Sequence, residues 1–144
     1  MFKFIKRLFS SEEISNDAII HSSKGEYTST KRLKSGGHGQ EALDYMSKNR
    51  ILYNVTKTYK NGVRVGNVPH HEKTKKRTGN NQSWFPKSWD RGIIKRAGKR
   101  IARGKKYPDG KIKKGRYKNV LIGIIRTKGK IATIFPLSKQ RSKR

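Results

Sequence analysis

Val120-Leu-Ile-Gly-Ile-Ile-Arg-Thr-Lys-Gly-Lys-Ile-Ala-Thr-Ile-Phe-Pro136 carries the strongest strand signal of the chain. Val120 to Ile125 is apolar and β-branched, Lys128-Gly129 supplies a turn, and Ile131 to Phe135 returns. Such side chains fit a pleated, half-buried surface, so an antiparallel hairpin is expected here. A second hairpin is expected around Asn61-Gly62, between a strand over Ile51 to Tyr59 and a return marked by Val63, Val65 and Val68.

Helical periodicity dominates the earlier part. Glu41 to Asn49 reads as a helix burying Ala42, Leu43, Tyr45 and Met46. Another is expected through Ile14, Ala18 and Ile19 to His21, capped by Ser10 or Ser11 with Glu13 in its first turn. Lys24 to Lys34 reads as loop or short strands, and residues 73–80 as a basic loop. Ser83-Trp-Phe-Pro86 is an apolar knot whose Trp84 and Phe85 belong in the core. Ser88 is placed to cap a helix carrying Trp89, Ile93, Ile94, Ala97 and Ile101, and Tyr107-Pro-Asp-Gly110 is a turn. Helices first and hairpins later predict an α+β fold.

The 144 residues suit one domain. Residues 1–17 read as a basic amphipathic segment, 18–137 as the folded domain and 138–144 as a mobile basic tail. In the first segment Phe2, Ile5, Leu8 and Phe9 recur at helical spacing, which fits a helix lying on lipid, on a partner or on the core.

Charge is the most informative bulk property. The chain has 37 Lys+Arg against 9 Asp+Glu, a formal net charge of +28. Residues 1–72 carry 12 basic and 7 acidic side chains, whereas residues 73–144 carry 25 and 2. Charge of one sign at this density repels itself and opposes compaction, so a polyanionic partner is expected. Nucleic acid is the commonest such partner. The absence of cysteine excludes disulfides and zinc sites of the cysteine type. No stretch is long and apolar enough to span a membrane, and no cleavable signal peptide is seen.

The four histidines, His21, His38, His70 and His71, are the side chains best suited to move protons near neutrality. RNA is cleaved without metal when one base removes the 2′-OH proton and one acid protonates the leaving 5′-oxygen. Two histidines and a group that stabilises the phosphorane suffice. Metal-dependent cleavage needs clustered carboxylates, and the acids here are scattered. No cofactor is expected.

Several ordered strings resemble the bacterial EndoU nuclease family. They are His21-Ser-Ser-Lys-Gly-Glu26, Ser35-Gly-Gly-His38, Asn61-Gly-Val-Arg-Val-Gly-Asn-Val68, Gln82-Ser-Trp-Phe-Pro86 and Gly129-Lys-Ile-Ala-Thr-Ile-Phe-Pro136. The resemblance covers about residues 18–137. It implies helices followed by antiparallel sheets that form a cleft, with His21 and His38 as the acid/base pair. Thr133 falls on the family's active-site threonine, which contacts phosphate or uracil. Two positions later the family often has a base-packing Tyr, where this chain has Phe135. Animal and viral members use a catalytic lysine, whose position reads as Gln82 here. Lys73, Lys76 and Arg77 are the alternative electrophiles. His71 is a further substrate-binding candidate, more simply read as a surface residue in a substrate-facing loop.

The expected activity is therefore a metal-independent endoribonuclease that leaves 2′,3′-cyclic phosphate ends. The resemblance further implies a monomeric toxin, delivered by another route or a fused partner, that acts on tRNA in a target-cell cytoplasm. Charge complementarity predicts an acidic immunity protein over the groove near His21 and His38. Two other classes share the composition: a non-enzymatic basic RNA-binding protein, and a cationic membrane-active protein resting on residues 1–9. Stable membrane insertion is not expected.

Overall fold

The computed structural model describes residues 13–104 and 107–141. In chain order the elements are α1 (Asn16–Ser23), β1 (Glu26–Tyr27), β2 (Leu33–Ser35), α2 (Gln40–Lys48), β3 (Asn54–Thr58), β4 (Arg64–Asn67), α3 (Thr74–Arg77), β5 (Gln82–Trp84), α4 (Arg91–Ala102), β6 (Ile112–Tyr117), β7 (Val120–Thr127) and β8 (Lys130–Pro136). Three antiparallel sheets result, ordered β1-β2, β3-β4-β5 and β6-β7-β8. The fold is α+β.

The C-terminal sheet buries one face. Ile122, Ile124 and Ile134 are fully buried there, against α4 residues Ile94, Ala97 and Ile101 and α1 residues Ala18 and Ile19. A second cluster joins Leu33, Ala42, Leu43, Met46, Ile51, Val68 and Trp84. Strand β5 lies at the junction, since Trp84 packs in the second cluster and Phe85 in the first. Phe85 stacks on Trp89 with centroids 5.1 Å apart. All three aromatics are core, as their setting predicts.

Several boundaries differ from expectation, each for a local reason. The Ser10 or Ser11 cap and the helix over residues 1–9 lie outside the described residues. Ser15 instead caps α1, accepting from the Ala18 amide at 3.1 Å. Asp90 rather than Ser88 caps α4, accepting from Ile93 N at 2.9 Å. Trp89 therefore precedes the helix, its amide donating to the Pro86 carbonyl. Ile51 does not begin β3, because its amide donates to Met46 O and closes α2. The basic loop at residues 73–80 contains the single turn α3. The predicted mobile tail is anchored over its first residues: Tyr59 Oη donates to Ser138 O at 2.8 Å, and Gln140 bonds both backbone groups of Leu121.

Candidate active site

The C-terminal carbonyls of a helix have no partner within it. In α1 the last three face the next loop. Gly37 N donates to His21 O, His38 N to Ser22 O and Gly39 N to Ser23 O, at 2.9, 2.6 and 3.0 Å. The side chains of the same three helical residues reach elsewhere. His21 meets Thr133, Ser22 Oγ accepts from Ile134 N, and Ser23 Oγ donates to Glu41. The helix end thus joins the His38 loop to β8. Gly36 makes the close approach possible: its φ is +69°, and a Cβ there would lie 2.0 Å from His21 O.

His38 is buried, and its Nδ1 lies 2.8 Å from the Ser83 carbonyl. A carbonyl only accepts, so Nδ1 carries the proton and Nε2 keeps a free lone pair. Burial, then the nearby Lys76 charge, pushes its pKa down to about 3. The ring is therefore neutral at neutral pH. His21 is arranged differently. Its Nδ1 lies 3.2 Å from the Glu26 carboxylate and its Nε2 3.2 Å from Thr133 Oγ1. Ser35 Oγ donates to the other Glu26 oxygen at 3.3 Å. An imidazolium at His21 faces a carboxylate, whereas one at His38 faces none among the described residues.

Both rings line one cleft of about 510 Å³, together with Thr133, Phe135, Lys73, Lys76, His71 and Gln82. The Phe135 ring lies 5.7 Å from the His38 ring. Arg77 is not among the lining residues, and its Nε donates to the His71 carbonyl at 2.7 Å. Lys76 is the cation closest in effect to His38. Its own pKa is lowered, by burial first and then by Lys73, and its ammonium donates to Asn81 O.

His71 departs from its reading as a surface residue. It is 1% exposed, because Leu33 N donates to His70 O and Glu72 N to Leu33 O, which draws the segment against β2. Its Nδ1 accepts from Lys73 N at 2.9 Å, so the ring proton sits on Nε2. Burial, followed by Lys76, pushes its pKa down to about 4. Gln82 is also buried, and its amide donates to Gly36 O and Gly37 O at 3.1 and 3.0 Å. It positions the His38 loop and presents no cation to the cleft.

Residues 15–138 match the family model described as bacterial EndoU nuclease. The chain belongs to the bacterial EndoU nuclease family. It is a nuclease, and the family implies an endoribonuclease acting on RNA. No match was found among curated proteins or solved structures. Among the described residues of this EndoU nuclease, no helix is long and apolar enough to cross a membrane. No three His, Asp or Glu among them come together as a metal-ligand set.

Sequence reasoning missed the supports of the EndoU site. Glu26 stands in the first quoted string with no role attached to it, yet it orients His21. Ser83 acts through its carbonyl on His38 and through its hydroxyl, which donates to Pro136 O at 2.7 Å. A backbone acceptor leaves no residue-type signal, so nothing in the sequence marks it.

Proposed function

We propose that this EndoU nuclease cleaves RNA without metal, using the 2′-OH of the substrate as nucleophile. His38 Nε2 takes the 2′-OH proton and O2′ bonds to the adjacent phosphorus. The P–O5′ bond breaks, and His21 gives its proton to O5′. The products are a 2′,3′-cyclic phosphate and a 5′-OH end, and proton exchange with water resets the pair. The observation that carries this reading is the contrast between the two rings across one cleft: a neutral His38 with Nε2 free, and a His21 backed by Glu26.

Thr133 is the hydrogen-bonding group at the phosphate, and Lys76, with Lys73, supplies the positive charge for the phosphorane. Phe135 packs on a base without hydrogen bonding to it. His71 offers a neutral N–H to the substrate. Arg77 acts through His71 as a positioning residue. The domain is taken as residues 18–137. By family resemblance and charge we read it as a monomeric toxin module. It acts on tRNA in a target-cell cytoplasm and is restrained by an acidic immunity protein over the cleft.

The test is incubation with total bacterial tRNA in EDTA, beside His21→Ala and His38→Ala. The expected result is cleavage that ignores EDTA, leaves 2′,3′-cyclic phosphates and falls by about 10²-fold or more in either variant. Intact tRNA that is bound in a salt-sensitive way would instead favour the non-enzymatic RNA-binding protein.

A further inference from the structure

The C-terminal sheet has a second face, opposite the one packed on α4. Register places Ile112, Ile125 and Thr133 in one row across β6, β7 and β8. Lys114, Gly123 and Phe135 form the next row on the same face, because opposed residues of antiparallel strands point the same way. Ile112 is 48% exposed, Lys114 is exposed, and Ile125 and Phe135 are half-buried. A Cβ at Gly123 would lie 2.7 Å from Phe135 Cζ and 2.9 Å from Ile112 Cγ2. The Phe135 and Ile112 side chains therefore meet over bare backbone and form one apolar ledge.

The ledge is continuous with the catalytic cleft, which Ile112, Ile125, Thr133 and Phe135 all line. Its outer border is β6, which pairs only with β7 among the described strands. Lys114 is exposed on that border, and Lys111 is exposed just before the strand begins. An exposed isoleucine beside an aromatic ring, with cations at the rim, fits a strand of bases and phosphates. Duplex RNA keeps its bases stacked inward and offers this ledge nothing apolar.

We propose that this open face is a binding path for single-stranded RNA, extending beyond the base that Phe135 contacts at the scissile step. An unstacked neighbouring base rests on Ile112 and Ile125, and the strand's phosphates pass Lys114 on β6. The proposal rests on the nuclease reading for its substrate, but its test does not need cleavage.

The test uses 2′-O-methyl oligonucleotides, whose blocked 2′-oxygen prevents internal attack, and reads binding by fluorescence anisotropy at several salt concentrations. Wild-type protein is expected to bind an octamer more tightly than a dinucleotide and more tightly than an eight-base-pair duplex. Ile112→Ser should weaken octamer binding by about tenfold. Lys114→Ala should weaken it and reduce the salt slope by about 0.7, the value for one phosphate contact on a single strand. Both side chains are exposed, so the variants keep the core. Octamer binding unchanged in both variants, or a duplex bound as tightly as the single strand, would overturn the path. Loss of octamer binding in the variants of a protein that cleaves no RNA would uphold the path and refute the nuclease mechanism.

Discussion

Acidification provides a direct test of how His38 and His71 are held. In the unfolded chain a histidine titrates near pH 6.5. In the folded protein burial lowers His38 to about 3 and His71 to about 4. Below pH 6.5 the unfolded state therefore binds more protons than the folded state. The stabilisation is complete above that value and is lost as pH falls towards the folded pKa. Between pH 7 and pH 5 each ring forfeits about 2 kcal/mol, roughly 4 kcal/mol together. The Glu41 carboxyl is held low by the bidentate Arg91, so the stability it adds is lost mainly below this window, where unfolded carboxylates protonate. The measurement is urea unfolding at pH 7, 6 and 5, with the same series for His38→Asn. Asn retains an N–H for the Ser83 carbonyl but cannot titrate. Wild-type stability should fall with a limiting slope of about 2.7 kcal/mol per pH unit near pH 5, and the variant slope should be half that. Equal slopes in the two proteins would show that His38 ionises as freely folded as unfolded. The neutral-base reading would then fail with the burial on which it depends.

Three further outcomes follow from the geometry. Gly36→Ala forces a Cβ onto the His21 carbonyl at a positive φ, so RNA cleavage should drop by about 10²-fold or more as the loop separates from α1, read by single-turnover assay. Gln82→Ala strips the Gly36 and Gly37 carbonyls of their shared donor and should destabilise by about 1–3 kcal/mol in urea unfolding. Glu26→Gln keeps a hydrogen-bond partner for His21 but removes the charge. It should slow cleavage by about tenfold, a fraction of what general acid catalysis supplies, read by single-turnover assay at neutral pH. Cleavage at the wild-type rate would remove Glu26 from the mechanism.

The parts of the fold legible in sequence are those where one pattern prevails. The β7–β8 hairpin is continuous and β-branched, and α2 has a clean apolar stripe, so both lie close to where periodicity puts them. Strand β6 escapes notice because Ile112-Lys-Lys-Gly-Arg-Tyr117 is basic on both faces and carries a glycine. Its pairing comes from β7, not from its own propensity. The site divides in the same way. His21, His38 and Thr133 stand in strings with a recognisable order, and the structure brings them to one cleft. The choice among Lys73, Lys76 and Arg77 depends on which way a single helical turn points. Sequence spacing does not encode that, and only the structure turns Arg77 onto the His71 carbonyl. Gln82 is the instructive case. Read as a lysine position it signals a missing electrophile, yet in the structure it is a buried donor to two glycine carbonyls.

Those glycines explain how so cationic a chain keeps an ordered site. A conventional way to orient a histidine is a buried carboxylate, but negative charge in the cleft would oppose a polyanionic substrate. Here His38 is oriented by a neutral carbonyl, and its loop by three amides donating to the free end of α1. The same bonds satisfy helical carbonyls that would otherwise need water. Capping α1 and bringing together the proposed catalytic pair thus use the same bonds. His21 sits on the helix being capped and His38 on the loop that caps it, so neither is set without the other. Among the described residues, Glu26 is the carboxylate that touches one of the two rings, and it approaches His21, the ring proposed to carry the proton, from a half-exposed position. Its charge therefore falls where an imidazolium needs it, and the side of the cleft beside Lys73 and Lys76 stays positive for the phosphate.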